Sequence, residues 1–447
     1  MNQNFYPLIL LLVVLLYAAC TKDSIPTFTD TDRELRRTLQ TLSPTGKLDH
    51  YVLPNSDDYA NIPHDPRNPL TKEKVELGKM LFFETGLALG SVYNAGRGTY
   101  SCATCHLPDK GFMPGSVQGI ADGGLGTADS RTKFNSYEPH ELDVQGARPL
   151  SLLNVAYVTN TSWSGKFGST HANEGTEHLW GVDDPSTEIN HSGLASLEAQ
   201  NIEGLPLHRM IVNKAVLDAY GYTPLFDAAF PELTEEERYG RTGASFAISA
   251  YLRQLFANQS PYQEWLKGNP DAMTDQQKRG AHLFYSKAVC YTCHSGPSLS
   301  HTDFYAVGVR DLYQTGNAFN TNSNDKRNFG RGGFTLRQED MFKFKIPSIY
   351  NMKNSPFYFH GSSKHTLREV VEYFNNAIPE NPNVPRENLA PQFQPLNLTD
   401  AEIDDLTEFI TNGLYDPNLN RYVPQEILSG NCFPNADPLS KATLDCN

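Results

Sequence analysis

Long apolar runs are nearly missing from this 447-residue chain. The run from Leu8 to Ala19 covers twelve residues, too few to span a bilayer as a helix and suited to the core of an export signal. No Lys or Arg precedes it. Basic residues are the minority: 37 Lys and Arg stand against 51 Asp and Glu, for a net charge of -14. That balance argues against a nucleic-acid partner and allows electrostatic steering of a basic protein. Extended stretches of β alternation are also lacking, so the fold class expected is mainly α with long irregular loops.

Cysteine is sparse, and every one of the 7 has a place. Four lie in Cys102-Ala103-Thr104-Cys105-His106 and Cys290-Tyr291-Thr292-Cys293-His294. Two thiols at this spacing can add across the two vinyl groups of a haem, and the next residue, His, can reach back to the iron. Zinc could use the same ligand types, but zinc does not require His directly after the second Cys, twice. With 13 His in the chain, chance would produce one such run about 0.003 times per chain. The motifs therefore predict two covalent c-type haems, held by Cys102, Cys105 and His106 and by Cys290, Cys293 and His294.

Of the remaining cysteines, Cys20 follows Tyr17-Ala18-Ala19 and resembles the lipidated Cys of a bacterial lipobox, with Tyr17 where Leu is usual. Cys432 and Cys446 lie in a Pro/Asn/Asp-rich tail, where a disulfide would close a loop worth about 3 kcal/mol in the chain-entropy model. Together these predict export and a lipid-anchored protein of the cell envelope, facing the periplasm or the cell surface.

The chain divides into a signal peptide (1–19), a polar tether (20–55) with a short helix from Asp32 to Leu42, an N-terminal haem domain (56–268), a C-terminal haem domain (269–420) and a disulfide-closed tail (421–447). Helix signals repeat in the two halves. Thr71 caps a helix containing Gly78-Lys79-Met80-Leu81-Phe82-Phe83 before the first motif. Thr274 and Gln277 form a capping box ahead of Gly280-Ala281-His282-Leu283-Phe284-Tyr285 before the second. A closing amphipathic helix follows each motif, one around Phe246 to Phe256 and one from the Thr399/Glu402 capping box to Ile410. This reads as an internal duplication of a cytochrome c-like unit, joined at Ser260-Pro261 to Asn269-Pro270.

From about residue 63 to 415 the chain resembles the bacterial diheme cytochrome c peroxidases, including the methylamine-utilisation (MauG-like) diheme enzymes. Asn68-Pro69-Leu70 to Phe83, both haem motifs, Arg148-Pro149-Leu150-Ser151-Leu152-Leu153-Asn154, Arg279 to Gly308 and Lys345-Ile346-Pro347-Ser348 to Tyr373 carry the resemblance. It implies a peroxide-binding haem in the N-terminal domain and an electron-transfer haem in the C-terminal one. Trp163 is implied as the relay between them, and Asn154 as a ligand of one calcium ion. The resemblance also implies hydrogen peroxide as substrate, a small cytochrome or cupredoxin as electron donor, and a homodimer as an open possibility.

Two positions depart from the family pattern. A distal acid/base is expected as Glu directly before Gln, whereas here Leu197-Glu198-Ala199-Gln200 sets Glu198 two residues ahead of it. Glu198 is taken as the catalytic candidate, and the insertion from Lys166 to Ser196, with His171, His178, Trp180 and His191, as a cover for the same pocket. The distal ligand of the second haem is read as Tyr373 by counting from Pro356, over Met352 and Met341, while counting from Thr366-Leu367 gives Phe374. His360 matches a loop His with one residue of slippage, and Arg148 is either a propionate partner or half of a surface ion pair. The functions these residues allow are a peroxidase, a MauG-like peroxide-dependent oxidase of another substrate, and a non-catalytic diheme electron carrier.

Overall fold

A computed structural model describes residues 28–446. The signal segment, Cys20 and the start of the tether lie outside the described residues. The architecture is mainly α. Its organising helices are α1 Asp30–Leu42, α2 Lys72–Phe83, α3 Ser196–Leu207, α4 Arg241–Arg253, α5 Pro261–Leu266, α6 Asp275–Phe284, α7 Leu367–Asn376, α8 Asp400–Glu408 and α9 Pro438–Leu444. Shorter helices (Lys214–Tyr220, Thr223–Ala229, Glu235–Arg238 and Gly332–Thr335) and long loops of mostly single 3-10 turns join them, with two antiparallel ribbons: β1 Gly124–Leu125 with β2 Thr132–Lys133, and β3 Phe304–Tyr305 with β4 Phe344–Lys345.

The predicted caps form. The Thr71 hydroxyl accepts from the Lys74 N–H, and Thr274/Gln277 and Thr399/Glu402 close as capping boxes. Each half then crosses an early helix over a late one through a glycine. A Cβ on Gly78 of α2 would lie 1.8 Å from the Ala247 carbonyl oxygen of α4, and one on Gly280 of α6 would lie 2.0 Å from that of Asp405 of α8. Only glycine allows backbones to approach so closely.

Two stretches read as connectors are packed structure. The short helix expected within the tether forms as α1, starting two residues earlier at Asp30, and it is packed into the core, with Leu35 and Leu39 fully buried. Asp32 accepts from Lys278 Nζ at 2.9 Å and from Trp265 Nε1 at 2.7 Å. The expected junction is α5, whose Ser260 cap and Pro261 at the first helical position are a helix start. Its Tyr262 and Trp265 are core residues, and Gln263 bonds Leu53, Tyr51 and Tyr350. At the other end Cys432 and Cys446 are disulfide-bonded with Cα atoms 6.0 Å apart.

Candidate active site

Each Cys-x-x-Cys-His run opens with a single 3-10 turn, Cys102–Thr104 and Cys290–Thr292. The first is pinned by the Thr104 hydroxyl, which receives the Ser101 N–H at 2.9 Å and sits beside Pro434 O and Asn435 Oδ1 of the tail. The second is pinned by the Thr292 hydroxyl on Val289 O at 2.7 Å. The histidines are oriented alike. His106 Nδ1 donates to Phe112 O at 2.9 Å and His294 Nδ1 to Leu299 O at 3.0 Å. Both accepting residues have left-handed backbones, with φ of 58° and 48°, which turn their carbonyls back toward the ring. Such a bond fixes the tautomer that leaves Nε2 for a metal. Burial lowers the pKa of both rings, His106 to about 4, so they are neutral ligands at ordinary pH.

A cavity of about 400 Å³ adjoins Cys102, Cys105 and His106, and one of about 250 Å³ adjoins Cys290, Cys293 and His294. Their walls repeat. Phe82 of α2 with Ile248 and Leu252 of α4 line the first, where Phe284 of α6 with Leu406 of α8 and Ile410 line the second. The segment Arg148 to Asn154 likewise aligns with Lys345 to Asn351, a cation at the first position and Ser and Asn at the fourth and seventh, and Arg148 to Ser151 with Lys345 to Ser348 form a wall common to both cavities.

This wall tests whether haem fits. Arg148 and Lys345 occupy equivalent positions, are almost fully buried and line both cavities. Their bonds go to neutral oxygens: Pro114 O at 2.6 Å, Ser116 O and Ser355 Oγ at 3.1 Å for Arg148, and Thr302 O at 3.2 Å for Lys345. Arg148 Nε is buried without a partner among the described residues. Desolvation depresses both cations, Arg148 to about 9 and Lys345 to about 8. Buried cations need an anion, and haem brings propionates, so the donor set fits one haem in each cavity. Arg148 is therefore not half of a surface ion pair. Lys345 was missed as its counterpart, although the match between Arg148-to-Asn154 and Lys345-to-Asn351 was visible in the sequence.

Trp163 lies between the cavities and lines both. Its indole N–H donates to Arg148 O at 2.6 Å, and its own carbonyl receives Lys345 N–H at 2.9 Å. His360 is its counterpart in the second half: its carbonyl receives Arg148 N–H at 2.7 Å, and its ring meets the Trp163 ring edge-on at 6.0 Å. His360 is held by Asp311 at 3.0 Å and stacks on Phe344 at 3.6 Å.

Two expected site residues stand outside the cavities, and a third, Asn154, has its amide bonded within the protein. Glu198 faces away from the first cavity. Fully buried, it is ion-paired with Arg253 at 2.6 Å and bonded to Asn68 at 3.1 Å. The face of α3 that lines the cavity carries Leu197, Gln200, Asn201, Gly204, Leu205 and then His208. Tyr373 points out of the second cavity, donating its hydroxyl to Val307 O at 2.5 Å. Leu367, Val370, Val371 and Phe374 form the face of α7 toward that cavity, which Met352 also lines, whereas Met341 does not. Asn154, with φ of 59°, spends its amide within the protein: Nδ2 donates to Ser348 Oγ at 3.0 Å and Oδ1 receives Ala257 N–H at 3.2 Å. These bonds tie three segments together. The insertion does reach the first cavity, through Leu179, Val182, Asp183, Asp184 and Thr187. Its Trp180 packs on His191 at 4.9 Å, and His171 and His178 are not among the cavity residues.

Two haem-fitted cavities with a common wall define a diheme c-type oxidoreductase of the cytochrome c peroxidase type. The family model described as "Di-haem cytochrome c peroxidase" matches residues 72–271, and similar proteins carry the same class of name. The chain is 26% identical to the methylamine utilization protein MauG of Methylorubrum extorquens, over 78% of this chain and 80% of the relative. It is 27% identical to the cytochrome-c peroxidase IdrP1 of Denitromonas iodatirespirans, over 78% and 83%. Among solved structures, a MauG-like protein associated with microbial copper homeostasis superposes with a TM-score of 0.57 at 24% identity, covering 82% of this chain and 95% of that one. The diheme peroxidase BthA from Burkholderia thailandensis superposes with a TM-score of 0.52 at 19% identity, covering 80% and 89%. At these identities the superpositions establish the fold.

Proposed function

We propose that this chain reduces hydrogen peroxide to water at its N-terminal haem, with electrons delivered one at a time through the C-terminal haem from a small cytochrome or cupredoxin. One observation carries the division of labour. Helices α3 and α7 cover the two cavities with equivalent faces, Leu197, Gln200, Asn201 and Gly204 against Leu367, Val370, Val371 and Phe374. Where the second cavity receives a phenyl ring, the first has a glycine whose Cβ direction is open for 4 Å. The first cavity thus keeps room for a small ligand that the second fills with carbon.

Haem, when bound, supplies the redox-active iron and accepts or gives single electrons. The chain's own residues do the rest. His106 and His294 would hold the irons through Nε2, Arg148 and Lys345 would neutralise the propionates, and Trp163 lines both cavities. We further propose that Cys20 is lipidated and anchors the protein in the cell envelope, consistent with thioether haem attachment outside the cytoplasm.

The test is to mix half-reduced holoprotein with peroxide in a stopped-flow spectrometer and to record its EPR spectrum beforehand. A high-spin ferric signal from one haem and a fast spectral change with peroxide are expected. Absence of both would overturn the enzyme reading and leave a diheme electron carrier.

A further inference from the structure

His208 ends the cavity-lining face of α3, one turn beyond Gly204. Pro206 lacks the N–H that would continue the helix, the chain reverses at Arg209 with φ of 55°, and Met210 N–H returns to Leu205 O at 2.8 Å. The imidazole is thereby set at a helix C-terminus, where a positive charge is favoured. It lines the first cavity with its side chain 39% exposed. Its Nδ1 is held by Asp143 at 2.9 Å, and Asp143 is itself 6% exposed. Backbone bonds in both directions fix that carboxylate, from Asp143 N–H to Asp122 O at 3.0 Å and from Ala121 N–H to Asp143 O at 2.9 Å. Holding Nδ1 leaves Nε2 as the working nitrogen.

The other polar groups at this cavity are committed or cannot carry a proton cycle. Asp184 is paired with Lys166 at 2.5 Å and Asp183 with Lys326 at 3.2 Å. Asn201 donates to Ser249 at 2.9 Å, and Gln200 does not titrate. Glu198 is locked behind α3 by Arg253.

We propose that His208, positioned by Asp143, is the acid/base that moves the proton when peroxide is cleaved in the first cavity. The assignment rests on the peroxidase reading. Neutral His208 takes the proton from one peroxide oxygen and returns it to the other. The O–O bond breaks as the protonated oxygen leaves as water. The second oxygen leaves as a second water after taking two protons from solvent. The two electrons come through the haems from the small redox donor, so that H2O2, two electrons and two protons give two waters. The charged and titratable groups facing His208 are Asp143, which raises its pKa, Arg209 from the reversal, which together with burial opposes this, and Tyr100, whose hydroxyl donates to the His208 carbonyl at 3.0 Å. Arg209 is in turn tied to Asp122. His106 from the haem motif also senses the His208 charge.

The experiment compares wild-type holoprotein with His208→Gln and Asp143→Asn, each checked for two covalent haems by mass and absorption. Two rates are read: the reaction with peroxide, and the association of cyanide with the ferric protein, which needs no turnover but does need a base, because hydrogen cyanide sheds its proton on binding. His208→Gln is expected to slow both by about a hundredfold, as for loss of a general acid/base. Asp143→Asn, a change at a positioning residue, should slow them less and shift the pH profile of cyanide association. Wild-type rates of cyanide association in His208→Gln with intact haems would overturn the proposal. A wild-type protein unreactive toward peroxide would instead overturn the peroxidase reading, with the cyanide comparison still deciding the role of His208.

Discussion

Asn68, Glu198 and Arg253 form a polar knot behind the first cavity, and its chemistry explains why a carboxylate near the haem is not at its service. Arg253 gives Nε and Nη2 to the two oxygens of Glu198, a bidentate pair with both side chains at 5% exposure or less. Removing one partner of such a pair strands the other charge. Glu198→Ala should therefore cost about 3–5 kcal/mol, read as a lower urea midpoint, while the molecules that remain folded react with peroxide at the wild-type rate. A large loss of rate at unchanged stability would return Glu198 to the catalytic role. The same residue marks where the sequence stopped being readable. The Leu-Glu-Ala-Gln run identifies the helix, but one residue is about 100° of rotation, and the partner that sets the rotation, Arg253, lies 55 positions away. Tyr373 and Phe374 pose the same problem on α7: both fit a count along the chain, and only packing puts the phenyl ring inward. Cysteines and their following histidines escape it because their spacing alone dictates the chemistry.

Helix pairs are the unit at which the duplication has energetic consequences. Where α2 crosses α4 and α6 crosses α8, the contact is backbone on glycine, and the haem-facing residues Ile248 and Leu406 directly follow Ala247 and Asp405, the contacted residues. A methyl group at either glycine must push a late helix away from the haem wall. Gly78→Ala and Gly280→Ala should each cost roughly 1–3 kcal/mol as overpacking does. Each should disturb the absorption spectrum of its own haem and leave the other unchanged. Spectra that change together would show that the halves do not respond as separate units. Helices α6 and α8 were legible because their caps are local, a Thr answered three residues later by Gln or Glu, with an apolar face behind, whereas α2 was read from the Thr71 cap and α4 from its apolar face alone. Helix α5 was hidden because Ser260-Pro261 is both a loop signal and a helix start, and Trp265, whose burial decides between them, needs Asp32 from the far end of the chain.

At the scale of the molecule, the two ends of the chain cross over. Helix α1, from the N-terminal end, packs on α6 of the C-terminal half through Asp32 and Lys278. The tail, from the C-terminal end, returns to the first half, where Asn435 meets Thr104 of the haem motif and Asp437 meets Arg131 at 3.3 Å. Each half is thus completed by a segment from beyond the other. The pH response of the α1 lock follows from Asp32. Burial alone would raise its pKa, but hydrogen bonds from Lys278, Trp265 and Thr29 outweigh burial and hold it below the ordinary 3.8. A carboxylate depressed in the folded state adds stability that is fully present above its ordinary pKa and is lost as pH falls through the folded value. Asp32→Asn should therefore lower the urea midpoint at pH 7 and speed hydrogen exchange across residues 30–42. The gap between variant and wild type should close only below about pH 4. A gap that does not narrow in acid would mean that α1 is held by Leu35 and Leu39 alone, and that the charge pair contributes nothing to the lock.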